Sequence, residues 1–285
     1  MSCQLTNKFG GIITVIKPKI WNRLDINKMC PDYLDFFESL NTQGIIMKTT
    51  LICGAVTAAL FAGNAAANTF VEDLSLDGSL AVTSDYRFRG ISQSNDDVAM
   101  QGSINLNHTS GFHAGVWGSS IDFNSVGNDE ATLELDYTAG YTFAVSDVAV
   151  DVGYIYYTYP NDGSNDNNDY GEVYAAAAWK GVEAGVNWTD DGYAKSGKAT
   201  YVFAGYSHQF GIVTVGAQVG ETFLDTATFA NGDDKYFNFE VSGAVTLLEK
   251  LDVEVAYVGT DLSKNDIGGL DWAENAVVAT VTLNL

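Results

Sequence analysis

Residues 132–143 read TLELDYTAGYTF. Leu133, Leu135, Tyr137, Ala139, Tyr141 and Phe143 fall on one side of an extended chain. Thr132, Glu134, Asp136 and Thr138 fall on the other. Strict alternation over such a length marks a strand with one apolar and one polar face, because successive side chains of a strand point in opposite directions. Residues 236–247, YFNFEVSGAVTL, repeat the pattern. Phe237, Phe239, Val241, Val245 and Leu247 stand against Asn238, Glu240, Ser242 and Thr246.

Outward from these two stretches the period of two recurs, giving strands near 74–88, 98–109, 112–123, 131–143, 147–159, 171–180, 181–189, 198–210, 211–223, 235–247, 251–260 and 274–285. The connections alternate in length. Ser110-Gly111, Ala144 to Ser146, Lys180-Gly181, Gln209 to Gly211 and Leu248 to Lys250 are short. The segments 89–97, 122–130, 160–170, 190–197, 224–234 and 261–273 are long and polar. A soluble sandwich has no reason to sort its loops by side, whereas a transmembrane barrel does. In lipid every backbone N–H and C=O must be paired within the protein, so strands that cross must close on themselves. The expected fold is therefore all-β: an up-and-down antiparallel transmembrane barrel of about twelve strands, with short periplasmic turns and longer extracellular loops. Tyr154, Tyr156, Tyr157, Tyr159, Trp179, Trp188, Tyr201 and Tyr206 gather toward strand ends, where amphipathic rings settle at headgroup level.

The stretch from Met47 to Ala67, MKTTLICGAVTAALFAGNAAA, has the order of a secretory signal: a basic start, an apolar run, and small residues before a cleavage site. Its apolar run is too short to cross about 30 Å of hydrocarbon as a helix. Cleavage after Ala67 would leave Asn68–Leu285, 218 residues. A signal that begins at residue 47 implies that residues 1–46 are an over-extended start or an extension. Cys3, Cys30 and Cys53 all precede residue 68, so the exported part has no thiol chemistry and no disulfide.

The chain as a whole carries a formal charge of −22, and the part from residue 68 has 32 acidic and 8 basic residues. Such a chain repels nucleic acid, whose binding needs cationic groups to displace phosphate counterions. Carboxylates recur on the polar face: Asp85, Glu134, Asp136, Asp151, Glu172, Glu183, Glu240, Asp252 and Glu254. In a barrel that face lines the lumen, since a charge on the lipid side costs several kcal/mol at mid-depth. Two functions fit an acidic lumen. Rings of carboxylate select cations in a pore. Alternatively the carboxylates and Arg87 pair inside a narrow, closed barrel that is structural or presents its loops. Arg87 shares the inward parity and can bridge Asp85, Glu134 or Asp136, or meet an anionic solute group with its planar fork.

Other chemistries have weaker footing. Outer-membrane lipid hydrolases use Ser and His at the lipid-facing surface, and His108 and His208 fall on the outward face. No local motif assembles a Ser/His/acid set, and no catalytic residues are assigned. His108, His113 and His208 are too scattered to suggest zinc. The acidic loop at 161–172 fails the EF-hand pattern: Asp162 as first ligand puts Asn167 where Gly is needed, and Asp166 as first ligand ends on Ala177. No phosphate-binding loop or dinucleotide fingerprint is present, so no cofactor is expected.

Residues 81–120 carry three elements, SDYRFRGISQS (84–94), QGS (101–103) and SGFHAGVWGSS (110–120). Together they resemble the TorF family of porin-like proteins, long described as conserved bacterial proteins of unknown function. The resemblance covers the first three strands and implies an outer-membrane barrel of Gram-negative bacteria with porin activity. Val277, Ala279, Val281, Leu283 and Leu285 share one face up to the last residue. That end resembles the terminal strand by which outer-membrane barrels are recognised by the barrel-assembly machinery, although the usual terminal aromatic is replaced by Leu285. The expected surroundings are outer-membrane lipid and lipopolysaccharide, with small solutes or ions in the lumen.

Overall fold

Every strand marked by alternation pairs with its neighbour in sequence. The computed structural model describes residues 3–6, 12–15, 73–123, 131–160, 162, 168–226, 229 and 232–285. In the unit Met1–Ile46, β1 (Cys3–Thr6) and β2 (Ile12–Val15) form a two-stranded antiparallel ladder. The signal-like segment 47–67 lies outside the described residues.

In the second unit, Met47–Leu285, twelve strands close a barrel. They are β3 (Leu74–Thr83), β6 (Ala99–His108), β7 (Phe112–Ser120), β8 (Leu133–Val145), β9 (Val148–Thr158), β10 (Tyr170–Trp179), β11 (Val182–Thr189), β12 (Ala199–Phe210), β13 (Val213–Leu224), β14 (Lys235–Leu247), β15 (Leu251–Thr260) and β16 (Ala276–Asn284). Each pairs antiparallel with the next, and β16 returns to β3 with Val281 opposite Val82 and Leu283 opposite Leu80. Closure leaves no open edge, which is the condition for crossing hydrocarbon with strands. At the short connection between β10 and β11, Lys180 and Gly181 both take left-handed backbone (φ 49° and 85°), the conformation that a two-residue hairpin turn demands.

The side chains sort as the alternation requires. Leu80, Val116, Tyr137, Val152, Val186 and Val241 are exposed on the outer face. Among the described strand residues the charged side chains facing outward are Glu221 and Lys235. Both sit at the loop-side rim and bond each other at 2.6 Å. Outward aromatics form two girdles: Tyr154, Tyr156 and Trp188 toward the loops, and Phe112, Tyr141, Trp179, Tyr206 and Phe210 toward the turns. An apolar belt between aromatic girdles is the surface of a transmembrane barrel. Three of the eight aromatics expected there stand elsewhere. Tyr157, Tyr159 and Tyr201 are buried, pointing inward, because their parity places them on the polar face.

The first strand also departs from expectation. It ends at Thr83 rather than residue 88. The next fifteen residues fold into a hairpin, with β4 (Arg87–Phe88) paired to β5 (Ile91–Ser92). Short polar side chains take over from the ladder here, offering the backbone local partners. Thr83 Oγ1 donates to the Asp85 carbonyl at 3.0 Å, and Ser92 and Ser94 donate to the Asp85 carboxylate at 2.7 and 3.2 Å. Arg89 and Gly90 form the tip, both left-handed (φ 49° and 86°). A Cβ on Gly90 would stand 3.0 Å from the Asn238 Cβ and the Gly259 carbonyl, so the tip reaches the ends of β14 and β15.

Candidate functional site

The inward face of the barrel carries the carboxylates that the sequence marks, with one change of setting. Asp85 lies in the hairpin instead of on a strand. Glu134 and Asp136 on β8, Asp151 on β9, Glu172 on β10, Glu183 on β11, Glu240 on β14, and Asp252 and Glu254 on β15 all alternate with outward apolar residues. They divide into two groups by burial. Glu134, Asp136, Asp151, Glu172 and Glu183 are at most 3% exposed. Glu240, Asp252 and Glu254 are half-buried.

The hairpin accounts for much of the first group. Its Tyr86 ring packs on Trp117 of β7 (centroids 5.2 Å) and its Phe88 ring on Tyr157 of β9 (5.8 Å). Arg89 crosses to Glu172 of β10 at 2.6 Å, with its guanidinium 4.4 Å from the centre of the Tyr201 ring on β12. The hairpin therefore fills the loop-side half of the lumen. Trp272, from the segment before β16, closes over it: its carbonyl accepts from Ser92 N at 2.8 Å, and its indole N–H donates to Asn95 at 2.8 Å.

Arg87, the basic residue singled out by parity, stays within this lid. It bonds Asp85 at 2.5 Å and Asp96 at 2.8 Å, and donates to the carbonyls of Gly90 and Glu274. Burial pushes the Asp96 carboxyl above its usual range, with Asp85 adding to the effect. Of the partners considered for Arg87, the structure supplies Asp85 and neither Glu134 nor Asp136. Arg89, which the sequence places beside Arg87 at the outer end of strand one without an inward role, is the cation that enters the lumen. The available signal was Arg-Gly followed by ISQS, a turn tip trailed by hydroxyls.

Two further groups were missed. His113 on β7 faces inward and bonds Asp151 at 2.9 Å, and Thr142 and Tyr174 complete that carboxylate at 3.0 Å each. Asp77 on β3 takes the side-chain amides of Asn105 and Asn107 at 2.8 and 2.7 Å. Its parity with Asp85 was the signal.

His108 faces outward as expected, and its Nδ1 lies 2.6 Å from Ser110 Oγ. The Ser110 N–H donates to the same nitrogen, which makes the contact a turn cap. Among the described residues no three His, Asp or Glu side chains are grouped to hold a metal ion. Residues 161 and 163–167 of the acidic loop lie outside the described residues.

The fold is a closed twelve-strand antiparallel barrel, apolar outside and polar inside. The chain belongs to the family described as bacterial protein of unknown function (Gcw_chp), which it matches over residues 67–285. Its structure is similar to the NanC porin (TM-score 0.47, 11% identity, covering 73% of this chain and 98% of that one). It is also similar to the KdgM porin (0.46, 9%, 73% and 96%) and to an outer membrane channel from Pseudomonas putida F1 (0.39, 12%, 73% and 94%). No curated protein matches the sequence.

Proposed function

We propose that this protein is a narrow, cation-preferring channel of the bacterial outer membrane, passing small solutes by diffusion, with its short turns in the periplasm. One observation carries the reading: the half-buried carboxylates of the lumen have, among the described residues, no basic side chain bonded to them. Glu240, Asp252 and Glu254 stand half-buried on the adjacent strands β14 and β15, with Asp77 on β3 beyond β16. Their inward neighbours on β16 and β3 are small and polar: Thr280, Thr282, Asn284 and Ser79. Carboxylates in such a passage attract cations and repel anions. The resemblance to TorF porin-like proteins agrees with this reading. It assigns no chemical step and no catalytic residue.

A second reading has its own support. The hairpin and Trp272 fill the loop-side half, and the Arg89–Glu172 bond ties one wall to the lid. A barrel held in that state would be structural. Single-channel recording of the purified chain in a planar bilayer, under a KCl gradient, separates the two. Steady openings with a cation-selective reversal potential support the channel. A well-folded, heat-modifiable barrel that gives no conductance overturns it in favour of the closed barrel.

A further inference from the structure

The charges of the loop-side lumen can be followed group by group. Eight basic residues follow position 68. Arg87 is held by Asp85 and Asp96, and Arg89 by Glu172. Lys195, Lys198, Lys235 and Lys264 bond Asp191, Asp225, Glu221 and Asp271. Lys180 lies over Trp179 in a turn-side connection, and Lys250 lies in the turn before β15. None remains for Glu134 and Asp136.

Yet these two are among the most buried carboxyl groups of the barrel. Glu134 accepts a hydrogen bond from Tyr159 at 3.0 Å, and the Tyr86 hydroxyl is directed at it as well. Both oxygens of Asp136 have no hydrogen-bond partner. Buried carboxylate oxygens without partners are strongly disfavoured, so each calls for an occupant. The register supplies the walls. Asp136 stands directly opposite Trp117 on β7 and Tyr157 on β9, and Glu134 stands opposite Ser119. Tyr86 of the hairpin leans on Trp117 from within the lumen. The two carboxylates share one face, two residues apart, roughly 6–7 Å along the strand.

We propose that Glu134 and Asp136, walled by Trp117, Tyr157 and Tyr86, bind a partly dehydrated monovalent cation of the size of K⁺ or ammonium. Carboxylate oxygens on one side and aromatic faces on the others favour such an ion. Ca²⁺ takes six to eight oxygens, usually from several carboxylates, and the third carboxylate beside Asp136, Glu172, is already held by Arg89. The site deepens the cation-channel reading and rests on it only for the route by which the ion arrives.

The test is equilibrium binding to the purified barrel, which needs no conductance. The thermal midpoint and tryptophan emission are followed as K⁺ or ammonium replaces N-methylglucamine at fixed ionic strength. The wild type should show a saturable rise in midpoint, since a ligand bound only by the folded state stabilises it, and a saturable change in emission. Asp136→Asn should weaken binding about tenfold or more, about 1.4 kcal/mol. Asp271→Asn, in an exposed loop and bonded to Lys264, should leave it unchanged. Trp117→Phe should remove the emission change while keeping the midpoint response, which guards against misfolding of the first variant. An Asp136→Asn barrel that responds to K⁺ like the wild type overturns the proposal. So does a wild type that does not respond, in which case protons or water satisfy the carboxyls. Binding without conductance would retain the site and remove the channel, and conductance without binding would do the reverse.

Discussion

The wall built by β7 to β12 and the wall built by β14, β15, β16 and β3 carry the same charged groups in opposite settings. On the first, Glu134, Asp136 and Glu172 lie under tyrosines and the hairpin at the loop side, and Asp151 and Glu183 are buried nearer the turns. On the second, Glu240, Asp252, Glu254 and Asp77 stand among Ser, Thr and Asn and keep contact with water. The number of carboxylates does not separate the two walls; the bulk of the neighbouring side chains does. Buried carboxylates must be bonded or compensated, so the first wall gathers partners such as Arg89, His113, Tyr159 and Tyr174. The second wall gathers lighter partners, the side-chain amides that Asp77 and Asp252 accept from Asn105, Asn107 and Asn284.

The two walls differ most at Arg89. Arg89→Met leaves Glu172 buried without its cation and should cost about 3–5 kcal/mol, read as a fall in the denaturant midpoint of the folded barrel. Adding Glu172→Leu should recover most of that loss, since a buried ion pair replaced by apolar residues is often neutral. If the single variant unfolds no more easily than the wild type, the first wall does not depend on its ion pair. Next comes Gly90→Ala. A side chain there meets β14 and β15 at a left-handed backbone position, and strain of about 1–3 kcal/mol is expected. The hairpin should loosen, and chymotrypsin should cut near Phe88 faster than in the wild type.

On the second wall the expected effects change kind. Glu240→Gln with Glu254→Gln should leave the denaturant midpoint within about 1 kcal/mol of wild type, and it should move the reversal potential in a KCl gradient toward zero. A large loss of stability with unchanged selectivity would mean that the walls do not differ as described. The smallest effect belongs outside both. Lys264 bonds Asp271 in an exposed loop, and Lys264→Ala should leave both midpoint and selectivity unchanged, as exposed ion pairs contribute little.

Much of this molecule was legible in the sequence, and unevenly. All twelve barrel strands fall where the alternation places them, because lipid on one side and water on the other force a period of two. Most of the boundaries lie within two or three residues of the observed ends. The first strand misled because Tyr86 and Phe88 keep the parity of Val82 and Leu80, so periodicity alone continues to residue 88. Tyr157, Tyr159 and Tyr201 misled for the opposite reason: their residue type suggests a membrane girdle, and parity places them inside. Asp77 was overlooked beside the carboxylates that share its face. Arg89 stands out in the sequence beside Arg87, but its partner does not, because Glu172 is 83 residues away in the chain.

Readable from the residues alone are the strands, the face each residue occupies, and the sorting of connections by length. These follow from local alternation and from the cost of exposing polar groups to hydrocarbon. The tertiary structure decided which carboxylates are sealed and which are wet, that 84–98 turns into the lumen, and that Arg89 and not Arg87 meets the far wall. Those outcomes depend on which side chains converge once β16 closes on β3. Convergence across a barrel joins residues far apart in the chain, where no local pattern reaches.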